Sequence, residues 1–454
     1  MCCVNLSALY CCKGKDKIRI VTSSWNIAGL SPKDENLDEW LHLLEDHHDK
    51  LSDVFVVGLQ EVPSDPSSLV LDYYIRNDPW TKRLLLFLGT KGIAMVEMVR
   101  MMGLLLIVAV KPKHLSHIRE IRTTYTKTAF YGLLGTKGAV SIRFNLYGES
   151  FCFVNNHFVA GEDYCLQRNN HFQSVMSKTM FPNCESSEIQ KHRYNILFGD
   201  FNYRIENLEK SNVQELATKS DFKTLISNDQ LTINRQKGEC FEGYNEFDIS
   251  FPPTYKYDLN SDAFDTSAKK RTPSYTDRIL WKEQTDTGET TLQQSSYSAH
   301  MSYKSSDHRP ISGEFIVNIP VVLTSTPVIE FRFDDSFIPW TSEEDGVCIF
   351  HCKGYQTSSW DWIGLYSLDF KSPKDYYTYE WSVSGADETG QDGCMVLFDD
   401  VPEEHGYYMF GYWSRALECV LGFSEPFLVA PEPEPEEPQE VTVESPPEAG
   451  ANQV

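Results

Sequence analysis

The chain has 454 residues, 41% hydrophobic and 13% aromatic, which is the make-up of a globular protein of two or three domains. Its net charge of −24 is unevenly placed. Between 318 and 430, 19 acids face 5 bases, a balance of −14; the tail from Pro431 has seven glutamates and no base, which leaves −3 for residues 1–317. That excludes a polyanion-binding surface on the C-terminal part and leaves room for a local basic pocket on the N-terminal part. No run of about 18 apolar residues occurs, so no membrane-spanning helix is expected.

The N-terminus, MCCVNLSALYCCKG, lacks a basic n-region and does not read as a secretory signal. Cys2, Cys3, Cys11 and Cys12 are expected in an untethered tail, with reversible acylation as the alternative. The 12 cysteines are scattered and read as reduced, cytosolic thiols. Cys348, His351 and Cys352 lie close together, but no second ligand cluster follows, so a core strand is expected there and not a zinc site.

In chain order, Lys17–Thr22 reads as a strand running into Trp25, Asn26 and Gly29. Asp53–Leu59 reads as a second buried strand, ending at Gln60-Glu61. A helix over Asp38–His47 would make the crossover that parallel neighbours require. The pairing would bring Asn26 and Glu61 to one sheet edge. A lone Glu after a strand fits a helix cap; a Glu beside an Asn at a sheet end fits Mg²⁺, which takes hard oxygen ligands and few carboxylates.

Leu104–Val110 and Ala139–Phe144 are further apolar strands. Before the second, Gly132 to Gly138 reads as a glycine-rich hairpin turn from which Lys137 reaches an anion. FCFVNNHF alternates as a strand and ends at His157, a position open to a structural or a catalytic role. Asn195–Phe198 is a short buried run that stops at Gly199 and is followed at once by Asp200, Asn202, Tyr203 and Arg204. Alone, that pattern equally fits a strand entering an Asx-type turn. Farther on, Tyr255, Lys256, Lys269 and Arg271 stand among prolines and aromatics in a segment of little net charge, which suits a shaped anion pocket. Ile279–Trp281, led by Asp277, and Ile311–Val317, led by Asp307-His308, are the last strands of this part.

Asn26, Glu61, His157, Asp200, Asn202, Asp277 and His308 all fall at or beside strand ends. If two sheets stack, one rim collects amides, carboxylates and imidazoles. That set suits metal-assisted hydrolysis of a phosphate ester.

Past 318, short β-like segments alternate with Gly, Pro and Asp turns, a β-sandwich pattern. Trp360, Trp362, Tyr408 and Trp413 are expected to belong mostly to its core. The tail 431–454 is Pro/Glu-rich and reads as disordered.

The blocks GDFNYRI, PPTYKYD, RTPSYTDRIL and SDHRPI, with Trp25-Asn26-x-x-Gly29, Leu59-Gln60-Glu61-Val62 and Gly135 to Val140, follow one another in the order of the inositol polyphosphate 5-phosphatases, and residues 16–318 resemble that family. Residues 319–430, with WDWIGLY and DYYTYEW, resemble the SKICH domain. The resemblance implies an α/β fold, a two-sheet sandwich of the endonuclease/exonuclease/phosphatase type, followed by an all-β sandwich domain. It divides the chain into a 1–15 tail, a 16–318 catalytic domain, a 319–430 SKICH-like domain and a 431–454 tail.

It also implies Mg²⁺-dependent removal of the 5-phosphate from phosphoinositides and soluble inositol phosphates. Glu61 and Asn26 would hold Mg²⁺, with Asp307 supporting the metal region. Asp200 would orient or deprotonate water. Asn202, His157 and His308 would contact the scissile phosphate, with His308 held by Asp277. Tyr255, Lys256, Lys269 and Arg271 would grip a 4-phosphate, and Lys137 and Arg204 complete the substrate-binding set.

The partners implied are a phosphoinositide-bearing membrane and a protein held by the sandwich domain, with no nucleic acid. The place implied is the cytoplasm, with recruitment to endoplasmic reticulum or plasma membrane. A nuclease of the same fold and a non-catalytic scaffold are the alternatives. Thr136, Gly161, His171 and Tyr275 depart from the family's blocks.

Overall fold

The structure is a computed structural model. It describes residues 15–430 except 34, 45–50, 64–77, 130–133, 185, 286–288, 321–327, 333–339, 341–345, 354, 368–369, 371 and 383–393. Both termini and part of the glycine-rich turn therefore lie outside the described residues.

Among the described residues, eleven strands form the first part: β1 (Lys15–Asn26), β2 (Val54–Gln60), β3 (Ala94–Met101), β4 (Leu104–Val110), β5 (Ile118–Ala129), β6 (Leu134–Leu146), β7 (Glu149–His157), β8 (Tyr194–Asp200), β9 (Asp277–Glu283), β10 (Leu292–Ala299) and β11 (Ile311–Pro320). They make a six-stranded sheet, β10-β11-β1-β2-β4-β3, and a five-stranded sheet, β5-β6-β7-β8-β9. Pairing is mixed: β1 with β2 and β7 with β8 are parallel, and the other neighbours are antiparallel.

Side-chain alternation decides what the sheets bury. Ile18, Ile20, Val54, Val56, Phe151, Phe153, Ile196, Phe198 and Ile279 share one core cluster between the sheets. The alternate positions Val21, Phe55 and Val57 pack outward with Trp80, Leu84 and Leu88 of helix α1 (Pro79–Thr90). Cys152, Val154 and Leu197 pack outward with Phe172 and Val175 of helix α2 (Cys165–Lys178). The result is four layers, α/β/β/α.

α1 starts where it does because the Asp78 side chain accepts the N–H groups of Trp80 and Thr81, with Pro79 in the first turn. At Gly58 the sheets close so tightly that a Cβ would lie 2.3 Å from Phe198 Cε2, which only glycine avoids.

Two expectations need correction. β8 does not stop before Gly199: it runs on to Asp200, which pairs with β9. Residues 38–42 form tight turns, closed by Leu41 N–H to Leu37 O and Leu43 N–H to Asp38 O, and not the first half of a helix over Asp38–His47. Trp40 and Leu41 have apolar spacing that suits a helix, but here it serves a turn that tucks both under β1.

The second part has β12 (Val328–Arg332), β13 (Gly346–Lys353), β14 (Trp362–Ser367), β15 (Thr378–Trp381), β16 (Cys394–Phe398), β17 (Gly406–Ser414), β18 (Cys419–Phe423) and β19 (Phe427–Val429). One sheet is β12-β13-β16; the other is β15-β14-β17-β18, with β19 on β17. Cys348, Ile363, Leu365, Phe410 and Tyr412 form the core between them.

Of the four aromatics expected in that core, only Tyr408 is buried there; Trp360 is 67% exposed, and Trp362 and Trp413 stack half-buried with centroids 5.6 Å apart. The reason is alternation. Trp362, Gly364 and Tyr366 face away from the sandwich core, and that outer face packs on the first part. Tyr366 and Phe370 enter the inter-sheet core cluster of the α/β part, with Met409 and Phe423 beside them. Arg122–Glu418 (2.7 Å) and Lys374–Glu97 (3.8 Å) flank this seam. A cavity of about 260 Å³ remains in it, lined by Val96, Leu115, Ile118, Trp413 and Val420 among others.

Candidate active site

The same alternation that builds the core delivers the chemistry. Asn26 continues the inward face of Ile18 and Ile20, His157 that of Phe151 and Phe153, Asp200 that of Ile196 and Phe198, and Asp277 that of Ile279. Register then aligns them. His157 is opposite Asp200, Asp200 is opposite Asp277, and Asn26 is opposite Gln60 on the facing sheet.

Just below, Gln60 Nε2 donates across the gap to Asn155 Oδ1 (2.6 Å), and Asn155 Nδ2 donates to the Leu59 (3.0 Å) and Leu105 (2.8 Å) carbonyls. This buried polar layer fixes the separation of the two sheets at the rim. Sequence reasoning missed Asn155 and gave Gln60 no role, because the signal is a pair 95 residues apart.

Asp200 is the hub. Its Oδ2 accepts Asn26 Nδ2 and Asn202 Nδ2, both at 3.0 Å, and its Oδ1 accepts Asn202 N–H at 2.9 Å. Asn202 takes a left-handed φ of 59°, which Asn tolerates well. The Asx-type turn and the chemical cluster are therefore one object. Burial works to raise the Asp200 carboxyl, but His157, His308 and Lys137 together hold it below the usual carboxylate range.

His157 Nε2 lies 3.4 Å from Asp200 and 3.7 Å from Glu61, and Lys137 Nζ bonds to the same ring. Burial lowers both: His157 with the help of Lys137, and Lys137 against the pull of Asp200 and Glu61.

His308 Nδ1 meets Asp277 Oδ2 at 2.9 Å. The same oxygen accepts the hydroxyls of Thr254 (2.7 Å) and Thr276 (2.9 Å), two further residues that the sequence reading passed over although they sit inside its blocks. Burial opposes a charge on His308, yet Asp277, backed by Asp200 and Asp307, raises it to about 10. At neutral pH the ring is an imidazolium with Nε2–H free to donate. The Tyr255 ring leans against it at a tilt (centroids 4.5 Å apart), and the Arg204 guanidinium lies over the Tyr255 ring (4.3 Å). Arg204 also clamps Asn202 through Nη2 to Oδ1 (2.5 Å).

The remaining expected residues are placed unevenly. Glu61 sits at the rim with its side chain 46% exposed. The Asn26 Oδ1 accepts Ala28 N–H (3.0 Å), so the amide also serves to orient Asp200. Asp307 is paired with Lys256 at 3.1 Å. Lys269 is exposed and Arg271 half-buried; their backbone N–H groups bond to Ser267 and Asp265, and among the described residues neither side chain bonds into the cluster. Of the departures, Tyr275 is buried and donates to the Phe251 carbonyl (3.0 Å), while His171 bonds Thr128 (3.0 Å) away from the hub.

Among the described residues, Asp277 Oδ1 and Arg204 Nη1 are buried polar atoms of the cluster with no hydrogen-bond partner. An unpaired carboxylate oxygen and an unpaired guanidinium N–H in one rim suit a cation and an anion together. Asp200, Asp277 and His308 approach within 4.8 Å, close enough to share an ion. The imidazolium at His308 is a poor metal ligand, however, since both its ring nitrogens carry hydrogen and neither offers a lone pair. The hard oxygens of Glu61, Asn26 and Asp200 fit a divalent cation better.

Stacked mixed sheets flanked by helices, with this acid–amide–imidazole rim, define the endonuclease/exonuclease/phosphatase class, and the family profile described as "Endonuclease/Exonuclease/phosphatase family 2" matches residues 23–314. The SKICH domain profile matches residues 334–429.

Mouse inositol polyphosphate 5-phosphatase K is 32% identical over 427 residues, covering 91% of this chain and 89% of the relative. Mouse phosphatidylinositol 4,5-bisphosphate 5-phosphatase A is 32% identical over 437 residues, covering 93% of this chain; the chain spans only 43% of that relative's length. A synaptojanin 5-phosphatase domain solved with inositol (1,4)-bisphosphate and calcium superposes with a TM-score of 0.59 at 31% identity, over 67% of this chain and 86% of that one. The chain belongs to the inositol polyphosphate 5-phosphatase family, in the branch that carries a SKICH domain. A Cimex nitrophorin, at 24% identity and a TM-score of 0.54, shares the fold alone.

Proposed function

We propose that the chain is a Mg²⁺-dependent phosphatase that removes the 5-phosphate from phosphatidylinositol 4,5-bisphosphate, from the 3,4,5-trisphosphate and from soluble inositol phosphates. The observation that carries this reading is the Asp277–His308 pair, charged and buried beside an ionised Asp200.

Asp200, immobilised by Asn26 and Asn202, accepts a hydrogen bond from the attacking water and aims it. A carboxylate held this low orients better than it deprotonates. His308 donates from Nε2 to a phosphoryl oxygen as charge develops there. Arg204 and Lys137 bind the scissile group, Asn202 positions Arg204 through its Oδ1, and the Tyr255 ring packs against both Arg204 and His308. Glu61 and Asn26 would hold the Mg²⁺, which when bound supplies charge neutralisation at the phosphate. Lys256, with Lys269 and Arg271 from the neighbouring loop, recognises the 4-phosphate.

The sandwich part places the enzyme by holding a membrane-associated protein. Its charge of −14 disfavours direct contact with anionic lipid.

The test is phosphate release from a panel of defined phosphoinositides with and without chelator. Release from the 4,5-bisphosphate that stops on chelation supports the reading. Release that survives chelation, or that favours the 3,5-bisphosphate, overturns it.

A further inference from the structure

The cavity in the seam takes its apolar floor from both parts of the chain. Val96 of β3, Leu115 and Ile118 at the head of β5 come from the α/β part; Trp413 of β17 and Val420 of β18 come from the sandwich. Alternation explains the second pair. Tyr412 and Leu421 are spent on the sandwich core, so their neighbours Trp413 and Val420 turn outward. Val420 is only 2% exposed, yet it belongs to neither the sandwich core nor the inter-sheet core. Its side chain is covered by the seam and faces the cavity.

The mouth is charged, and its charges do not cancel. Glu418 is met by Arg122 at 2.7 Å. Lys374 stands 3.8 Å from Glu97, beyond hydrogen-bond reach. Arg415 lines the cavity as well; its backbone N–H bonds to Asp361 (2.8 Å), and among the described residues its guanidinium has no partner. Arg119 lies beside Cys419, another lining residue. Four cations thus surround two carboxylates. The excess is pointed, because the stretch 318–430 has only 5 bases against 19 acids, and two of the five, Lys374 and Arg415, are placed here. A gap left by imperfect packing needs no such ring. Bases gathered at an apolar hole in the most acidic part of the chain suit an anion with an apolar body.

Size narrows the body. At about 30 Å³ for each heavy atom, the share of one liquid water, a cavity of about 260 Å³ takes about eight atoms. That is a short acyl chain, or the end of a longer one. A pair of chains or a protein side of any extent does not enter.

We propose that the seam cavity is a binding site for a single-chain amphiphile with an anionic head, its chain on Val96, Ile118, Trp413 and Val420 and its carboxylate or phosphate at Arg415 and Lys374. The sandwich as a whole repels an anionic surface, but one monomer entering the seam meets the few cations that the domain has. An occupant touches both parts at once, so it tightens their join. The inference stands independently of the reaction proposed above.

The test uses the full chain, with octanoate, octanol, octylamine and propionate titrated by calorimetry and by Tm. One saturable equivalent of octanoate, with a Tm that rises with its concentration, is expected. Octanol has the chain without the charge and should bind more weakly; octylamine, with the opposite charge, should bind weakest of the three eight-carbon probes. Propionate has the head and little of the chain, and should fall at least about 100-fold below octanoate. R415A, at an exposed position where folding is not at risk, should weaken octanoate about tenfold. V420F should fill the cavity and abolish binding.

No saturable octanoate site on the wild-type chain would show a plain packing gap and overturn the proposal. Octylamine binding as tightly as octanoate would overturn the anionic head. Octanoate binding unchanged in both R415A and V420F would place the site elsewhere, the phosphate-binding rim included, and would overturn the assignment to the seam.

Discussion

The two ends of the inter-sheet core each hold an aspartate–histidine pair, and the pairs differ in what is left over. At the base, His114 Nε2 meets Asp53 Oδ1 (3.0 Å) while its Nδ1 meets the Tyr147 hydroxyl (3.0 Å). Asp53 Oδ2 accepts Arg19 N–H (3.0 Å), and Lys113 stands 3.3 Å from Oδ1. Every polar atom of that pair is used. At the rim, among the described residues, Asp277 Oδ1 has no hydrogen-bond partner and the His308 Nε2 edge is uncommitted. The same two residue types make a closed joint at one end and an open site at the other. Function follows from incomplete satisfaction, because a group already paired has nothing to offer a substrate.

Breaking the open pair should have the largest effect. H308A or D277N should lower kcat about 10²–10⁴-fold with little change in KM, since the role proposed for the group lies mainly in the transition state. The pH profile sharpens the point. His308 is raised, so its donor is present at neutral pH and is lost as pH climbs through about 10. The stability that its pairing contributes is complete below the ordinary histidine range and disappears over the same rise. A basic limb of kcat near pH 7 would contradict the charged pair.

Next in size is the seam between the two parts. F370A removes a ring from a cluster that includes both, and should cost about 3–5 kcal/mol in global unfolding. Two separate melting transitions, with only one displaced, would show that the parts are not coupled.

A smaller and more selective loss is expected from R271A, about 1.5–3 kcal/mol in kcat/KM. It should fall on substrates bearing a 4-phosphate and spare those without it. Equal loss on both would remove Arg271 from the recognition set.

Breaking the closed pair should matter least to turnover. H114A should lower stability by about 1–3 kcal/mol, read from denaturant midpoints, because it removes the buried partner of one Asp53 oxygen and of the Tyr147 hydroxyl. Its kcat should stay within error of the parent; a drop matching that of H308A would erase the distinction drawn between the two ends.

Much of this was legible in the sequence, and the exceptions have a common cause. Strands such as β2, β4 and β8 announce themselves as unbroken apolar runs because both their faces are buried. The rim announces itself because polar residues end those runs. What stayed hidden depends on partners far away in the chain. Gln60 and Asn155 each look like ordinary strand amides until the sheets are stacked. Thr254 and Thr276 act only through Asp277. Trp362 and Tyr366 resemble core residues of their own domain, yet they face its neighbour, and no local period distinguishes the two. The turn at 38–42 has helical spacing because Trp40 and Leu41 must reach one pocket, whatever backbone carries them there.

The seam also bears on direction. Tyr366 and Phe370 seat the sandwich near the end of β5–β7 that lies farthest from His157, with Arg122–Glu418 and Lys374–Glu97 across the join. A packed join of this kind transmits orientation as well as proximity. A partner that gripped the sandwich, as proposed above, would therefore set the angle at which the open rim meets a surface. An otherwise intact molecule held at the wrong tilt would be silent on lipid while still turning over a substrate free in solution.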